Sequence, residues 1–299
     1  MCLILLLICM FDTIAQEMPL QRIDFYGREL WIKRLDLVHP NISGNKFYKL
    51  KYNFLAAQAE GYQQVLTFGG AYSNHIAATA YTAQLFGWKS IGIIRGQELA
   101  NCALNPTLNL AQHMGMQFRF VSREMYRQKN SPDFLQNLQH EYPDAYILPE
   151  GGTNALAIQG CQEILSADDL HQFDLICCAV GTGGTLTGLI EASHPHQQIL
   201  GFSALKGNFL TQDVKQLTIK RNWQISDEFC CGGYAKTTPE LLTFIRAFED
   251  QSQIPLEQVY TGKMLWGLSK MLQRNELNHK KRILVIHTGG LQGRHITPA

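Results

Sequence analysis

The 299-residue sequence lacks an excess of either charge: 26 Lys and Arg stand against 25 Asp and Glu, a formal net charge of +1. That balance leaves no electrostatic footprint for nucleic acid or for an anionic membrane surface, and it favours small-molecule chemistry. The eight cysteines, at 2, 9, 102, 161, 177, 178, 230 and 231, show no CxxC and no Cys/His ligand spacing, so neither a metal site nor a disulfide framework is expected. They read as reduced, mostly buried thiols of a cytoplasmic protein. No Pro-rich linker, low-complexity tract or solenoid period divides the chain, so a second domain must be interleaved with the first rather than appended to it. The opening "MCLILLLICMFDTIAQEM" lacks the basic residues of a signal peptide and is too short to span a bilayer. A start at Met18 accounts for it better, and residues 1–17 are expected to be extraneous or disordered.

What is present is alternation. From Gln63 onward, short apolar runs precede helical patterns: "QQVLTF" then "HIAATAYTAQLFG", "SIGIIRG" then "PTLNLAQHMG", "QFRFVS" then "PDFLQNLQHEY", "FDLICCAV" then "GTLTGLIEAS", with "RILVIHT" closing the series. Strands so continuously apolar, each followed by a helix, imply an α/β fold of mostly parallel, twisted sheets covered by helices on both faces. Three Gly-rich strand ends, "TFGGAYSNH" at 67–75, "PEGGTN" at 149–154 and "AVGTGGTLTG" at 179–188, mark the carboxyl side of those sheets, where ligands sit in open α/β folds.

Each motif has a plain structural alternative beside its functional one. Amides at Gly181, Gly183 and Gly184, with hydroxyls from Thr182 and Thr185, suit a phosphate at a helix start; a tight strand-to-helix turn is the alternative. The run has neither a GxGxxG register nor the GK[ST] of a P-loop, which weakens nucleotide readings. Ser73 and Asn74 stand where N-cap residues belong, and the same turn offers hydroxyl, amide and helix N–H groups to a carboxylate. His75 reads most simply as a surface residue at a helix start.

"SGNKFYKLKYNF", residues 43–54, carries the sharpest anomaly. Phe47, Leu50, Phe54 and Ala57 recur at helical spacing, yet Lys46 and Lys49 occupy the first turn, where the helix dipole disfavours cations. A phosphate monoester near Lys49 and an aldehyde condensed with Lys46 would together resolve it, and pyridoxal 5'-phosphate provides both groups.

In order along Gln21 to Gly290, "SGNKFYKLKY", "GGAYSNH", "PEGGTNALAIQG", "GTGGTLTG", "FSALKG", "GGYAKTTPE", "VYTGK" and "IHTGG" resemble the D-cysteine desulfhydrase and 1-aminocyclopropane-1-carboxylate deaminase family, of the tryptophan synthase β-like fold. The resemblance implies a large cofactor-binding domain from residues 18–50 with 151–299, and a small α/β domain from 51–150. It implies that Lys46 bonds the cofactor's aldehyde, that Lys49 and the loop Gly181, Thr182, Gly183, Gly184 and Thr185 hold its phosphate, and that Asn74 contacts its phenolic oxygen. Ser73, with Asn74 and His75, would bind the substrate carboxylate; Tyr260 would lie against the ring and Tyr234 near the substrate, though each tyrosine also fits a plain packing role. Where the deaminases resemble "VYEGK", this chain places Thr261, and Thr288 stands where they carry leucine. Both substitutions resemble the desulfhydrase branch: a hydroxyl cannot raise a ring nitrogen's pKa as a carboxylate does. The implied activity is elimination from D-cysteine, with cyclopropane ring opening second and non-catalytic binding of cofactor or nucleotide third. Tyr72, where relatives have glutamine, and "KFYKLKYN", where they have "KTRKLEY", depart from the pattern and leave the amino acid open. The partners implied are a small amino-acid substrate and a second copy of the chain in a homodimer, with neither nucleic acid nor membrane.

Overall fold

Strands that read as unbroken apolar runs need cover on both faces, and in the structure, a computed structural model that describes residues 10–277 and 282–294, they build two separate sheets. The strands are β1 (Leu20–Phe25), β2 (Arg28–Lys33), β3 (Gln64–Gly69), β4 (Lys89–Arg95), β5 (Met116–Val121), β6 (Tyr146–Ile147), β7 (Leu175–Val180), β8 (Gln198–Ser203), β9 (Trp223–Ser226) and β10 (Ile283–Ile286). The described chain divides into two units, the first made of residues 10–15, 39–42 and 46–157, the second of 16–38, 43–45, 158–277 and 282–294.

The first unit holds a parallel four-stranded sheet in the order β5-β4-β3-β6. Its helices are α1 (Asn45–Ala59, of which only Asn45 falls in the second unit), α2 (Asn74–Leu85), α3 (Pro106–His113), α4 (Arg123–Arg127) and α5 (Pro132–Glu141). Leu66, Phe68, Ile91 and Ile93 build a core on one side of the sheet, while Ile76, Ala80, Ile94 and Met116 build another. Side-chain oxygens of Ser73, Asn105, Ser122 and Ser131 cap the starts of α2 to α5.

The second unit holds a six-stranded sheet in the order β1-β2-β10-β7-β8-β9, parallel throughout except for the antiparallel β1–β2 hairpin at one edge. Its helices are α6 (Ala155–Gln162, shared with the first unit), α7 (Ala167–Gln172), α8 (Gly184–Ala192), α9 (Phe209–Leu217), α10 (Pro239–Ser252) and α11 (Thr261–Gln273). A core of Leu30, Ile32, Cys177, Leu200, Phe202, Ile245, Leu265, Leu268 and Val285 lies between sheet, α10 and α11.

Two expectations are corrected. Residues 1–9 lie outside the described residues, but 10–17 are part of the fold: residues 10–14 are helical, and Phe11 is fully buried with its ring 5.2 Å from Phe47 and 5.9 Å from Phe86. Asp12 accepts from the Lys51 ammonium at 2.9 Å. Phe11 covers those two rings and is itself removed from water. The domain boundaries expected at 50/51 and 150/151 fall inside α1 and inside the turn Glu150–Gly152; the observed ones lie at 45/46 and 157/158.

Four of the described cysteines, 161, 177, 178 and 230, are buried, Cys231 is partly buried and Cys102 exposed; all are free, and burial pushes the Cys177 thiol far up. Cys2 and Cys9 lie outside the described residues. Among those residues, no helix is long and apolar enough to cross a membrane.

Candidate active site

In the second unit, β7 runs into α8 through Gly181, Thr182 and Gly183. Gly183 takes a left-handed conformation (φ 81°), and a Cβ on Gly181 would stand 3.0 Å from Cε1 of Tyr260 and 3.4 Å from its hydroxyl. The Tyr260 ring thus lies against bare backbone, as a side chain at 181 would not allow. The first N–H groups of α8 have no acceptor within the helix and collect at this loop with the positive end of its dipole, an arrangement suited to phosphate. Thr185 is buried, and its Oγ1 accepts from Asn45 Nδ2 at 2.8 Å.

Asn45 is set there by backbone interlock. Gly44 (φ 67°) is so close to the 288 peptide that a Cβ would fall 1.9 Å from the Thr288 carbonyl oxygen, and the Asn45 N–H donates to that oxygen at 3.2 Å. Gly289 (φ 77°) returns the fit, since its Cβ would meet Ser43 Oγ at 2.8 Å. Beneath lie Asp36, bound by Arg34 through both oxygens at 2.8 and 2.7 Å, and His287, whose Nε2 donates to Pro255 O at 2.8 Å while Nδ1 accepts from Gly289 N–H at 3.3 Å. Burial pushes the His287 imidazole below its ordinary pKa against an upward pull from Asp36. "SGN" and "HTGG" are therefore one piece of structure, and Lys46 is the next residue along the chain.

In the first unit, Phe47, Leu50, Phe54 and Ala57 of α1 are buried as their spacing predicts, and so is Lys49. The Lys49 ammonium donates to Gly151 O and Thr153 Oγ1, each at 2.9 Å, and Asn53 and Asn154 exchange amide hydrogen bonds at 3.2 and 2.6 Å. The loop "PEGGTN" is thus tied to α1 by a lysine and a pair of asparagines. Lys46 is half-buried.

The turn after β3 is closed by Ser73 N–H on Gly70 O at 3.0 Å and held by Asn105 Nδ2 on Ala71 O at 3.0 Å. A Cβ on Gly69 would meet Ile76 Cγ1 at 2.5 Å, so only glycine lets the chain turn so sharply into α2. Ser73 and Asn74 are half-buried at its tip, and Tyr72 is half-exposed beside them. The surface position expected for His75 is corrected: the residue is 1 % exposed, its Nε2 meets Thr67 Oγ1 at 2.8 Å, and that hydroxyl donates to Leu148 O at 3.1 Å. A hydroxyl has one proton, so His75 must donate from Nε2; its buried Nδ1 has no partner among the described residues. Burial, then the charges of Lys46 and Lys49, hold its pKa well below the ordinary value.

Tyr260 precedes α11, and its ring lies 6.2 Å from that of Tyr234, which is 42 % exposed. Thr261 is fully buried and its hydroxyl donates to Glu257 Oε1 at 3.1 Å. The Glu257 carboxylate also receives the N–H groups of Val259, Tyr260 and Thr261 at 2.6, 2.8 and 2.5 Å. Burial raises the Glu257 pKa and those hydrogen bonds oppose the rise. Thr288 is nearly buried, and its carbonyl faces the 44–45 peptide.

Sequence reasoning missed Glu257, Asn45 as partner of Thr185, and Lys263, a buried lysine in the first turn of α11. The signal for Lys263 was available: it repeats the anomaly of a cation at a helix start seen at Lys46 and Lys49. In the second unit the unshielded amides and hydroxyls at 181–185 fit a phosphate; in the first, Lys46 is a half-buried amine of the kind that condenses with an aldehyde.

Comparison with known proteins agrees. A model of the family described as pyridoxal-phosphate dependent enzyme matches residues 15–289. The chain is 32 % identical over 289 residues, 90 % of each chain, to a putative 1-aminocyclopropane-1-carboxylate deaminase of Thermotoga maritima. It is 30 % identical over 295 residues, covering 89 % of this chain and 73 % of the relative, to a bifunctional mitochondrial D-cysteine desulfhydrase/1-aminocyclopropane-1-carboxylate deaminase of Arabidopsis thaliana. The crystal structure of an ACC deaminase homologue superposes with a TM-score of 0.79 at 28 % identity, covering 97 % of this chain and 95 % of the other.

Proposed function

Because this chain belongs to the pyridoxal-phosphate dependent enzyme family, we propose that it is a lyase acting on D-cysteine or a related β-substituted amino acid. The balanced reaction takes D-cysteine and water to pyruvate, ammonia and hydrogen sulfide. When bound, pyridoxal 5'-phosphate supplies an aldehyde for condensation with amines and a conjugated ring that accepts the electron pair left at the substrate's α-carbon. Lys46 Nζ would bond that aldehyde, and either Lys46 or a tyrosine would serve as the base for the α-proton. The amides and hydroxyls of 181–185 would hold the phosphate with help from Lys49, and Asn74 would contact the phenolic oxygen. Ser73 with the α2 N–H groups, including that of His75, orients the substrate carboxylate. Tyr260 flanks the ring, and the Tyr234 phenol carries a proton on the substrate side.

The observation that carries the choice of reaction is Thr261. Its hydroxyl proton is given to Glu257, whose own charge is met by three main-chain N–H groups, so nothing at this position supplies the negative charge that keeps a pyridine nitrogen protonated. A weaker electron sink suits loss of a good leaving group such as thiolate. The test is keto-acid release from D-cysteine, L-cysteine and other β-substituted D- and L-amino acids: pyruvate from D-cysteine is expected, and no pyruvate from any of them overturns the reading.

A second reading is ring opening of 1-aminocyclopropane-1-carboxylate to 2-oxobutanoate and ammonia, favoured by the names of the Thermotoga and Arabidopsis relatives. Release of 2-oxobutanoate from that compound at a rate matching pyruvate from D-cysteine would support it. We also infer a cytoplasmic homodimer, checked by sedimentation and cell fractionation.

A further inference from the structure

Lys263 is 1 % exposed, and the roles assigned above leave it unused. Its ammonium donates to two main-chain carbonyls of one loop, Cys230 O and Gly233 O, each at 2.8 Å. The loop is conformationally expensive: Cys231 (φ 53°), Gly232 (86°), Gly233 (126°) and Ala235 (55°) all take positive φ, and two of them carry side chains. Such a run persists only where its surroundings over-determine it, and the residue in its midst is Tyr234. The main-chain bonds of the loop itself are local, Cys230 N–H to Asp227 O, Gly233 N–H to Cys230 O and Lys236 N–H to Gly233 O; Phe229, just before it, packs on Trp266 of α11, and Lys263 ties the loop's own carbonyls to that helix. Six residues earlier in the same stretch, Glu257 fixes the main chain of Tyr260. The segment 257–263 thus sets the backbone of one tyrosine with its carboxylate and the loop of the other with its ammonium.

We propose that Lys263 is a positioning residue that docks the 230–236 loop and thereby holds the Tyr234 phenol in its working place beside Tyr260. A buried ammonium is costly unless its donors are met. Here the loop's carbonyls meet them, and burial lowers the lysine's pKa while Glu257 and the neighbouring cysteines oppose that. The inference rests on the part given to Tyr234 in the proposed elimination.

The experiment compares Lys263→Met, Tyr234→Phe and the double variant in the cofactor-loaded protein, with hydrogen exchange of the 230–236 peptide as a readout independent of turnover. Lys263→Met should keep the bound chromophore, lose on the order of tenfold to a hundredfold in kcat with little change in KM, and raise exchange in 230–236 but not in β7 or β8. In the Tyr234→Phe background the same change should cost less than about threefold, because positioning an absent phenol gains nothing. If Lys263→Met fails to fold, Gly233→Ala releases the loop from its own side, at a φ that L-residues rarely adopt, and should give the same loss and the same lack of additivity. Full kcat in either folded variant, or a loss fully additive with Tyr234→Phe, overturns the inference while the elimination reading stands. A wild-type protein that releases no pyruvate overturns the reading instead, and unchanged exchange in 230–236 then overturns docking by itself.

Discussion

Lys49 in the first unit and Lys263 in the second solve one problem in the same way. Both sit near the start of a helix, both are almost fully buried, and both give their protons to oxygens of a Gly-Gly loop, 151–153 in one case and 230–233 in the other. Loop oxygens stand in for the anion that a cation at the positive end of a helix needs. The difference lies in redundancy. The Lys49 loop is also held by the Asn53–Asn154 amide pair, whereas the other main-chain bonds of the Lys263 loop are local. A loop whose carbonyls are met by one side chain should respond to a change at that side chain more than a loop that is also held by an amide pair.

The largest effect should separate both structural lysines from the third, Lys46. Lys46→Ala should cut pyruvate release by about a thousandfold or more and abolish borohydride-trapped cofactor mass, while leaving the denaturation midpoint nearly unchanged. Next, Gly44→Ala should destabilise the fold by about 3 kcal/mol or more in urea titrations, since it combines a positive φ with overlap onto the Thr288 carbonyl. Lys49→Met should cost about 1–3 kcal/mol by leaving Gly151 O and Thr153 Oγ1 without their donor, yet exchange in 149–154 should rise only when Asn154→Ala is added. An equal rise in the single variant would erase the contrast with Lys263. The smallest effect concerns pH. Because the folded-state pKa of His75 lies well below 6.5, the unfolded chain binds more protons under that pH; the contribution is fully present above about pH 6.5 and is lost as pH falls toward the folded value. Between pH 6.5 and 5.5 the stability of the wild type should drop by up to about 1 kcal/mol more than that of His75→Gln.

The central strands and their helices were legible because burial on both faces leaves a continuous apolar run. β1 and β9 escaped for the converse reason: at sheet edges, "LQRIDF" and "WQIS" mix polar and apolar residues as exposed segments do. The glycine turns and the lysine anomaly pointed to a ligand in the sequence because amides unshielded by side chains and a cation at a helix start both ask for an anion. His75 was misjudged because its partners, Thr67 and Leu148, come from other elements of the fold. Glu257 looked like one more acidic residue before a helix, and only the convergence of three N–H groups on its carboxylate distinguishes it. Phe11 was hidden by its context, an apolar run in which nothing singles it out, because its partners Phe47 and Phe86 lie far along the chain.

The near-contact between Gly44 and the Thr288 carbonyl leaves room at that α-carbon for a hydrogen atom and nothing larger. Two stretches more than two hundred residues apart in sequence can therefore diverge only in concert. Substitutions that reshape the chain are steered away from this seam and toward exposed positions such as Tyr72.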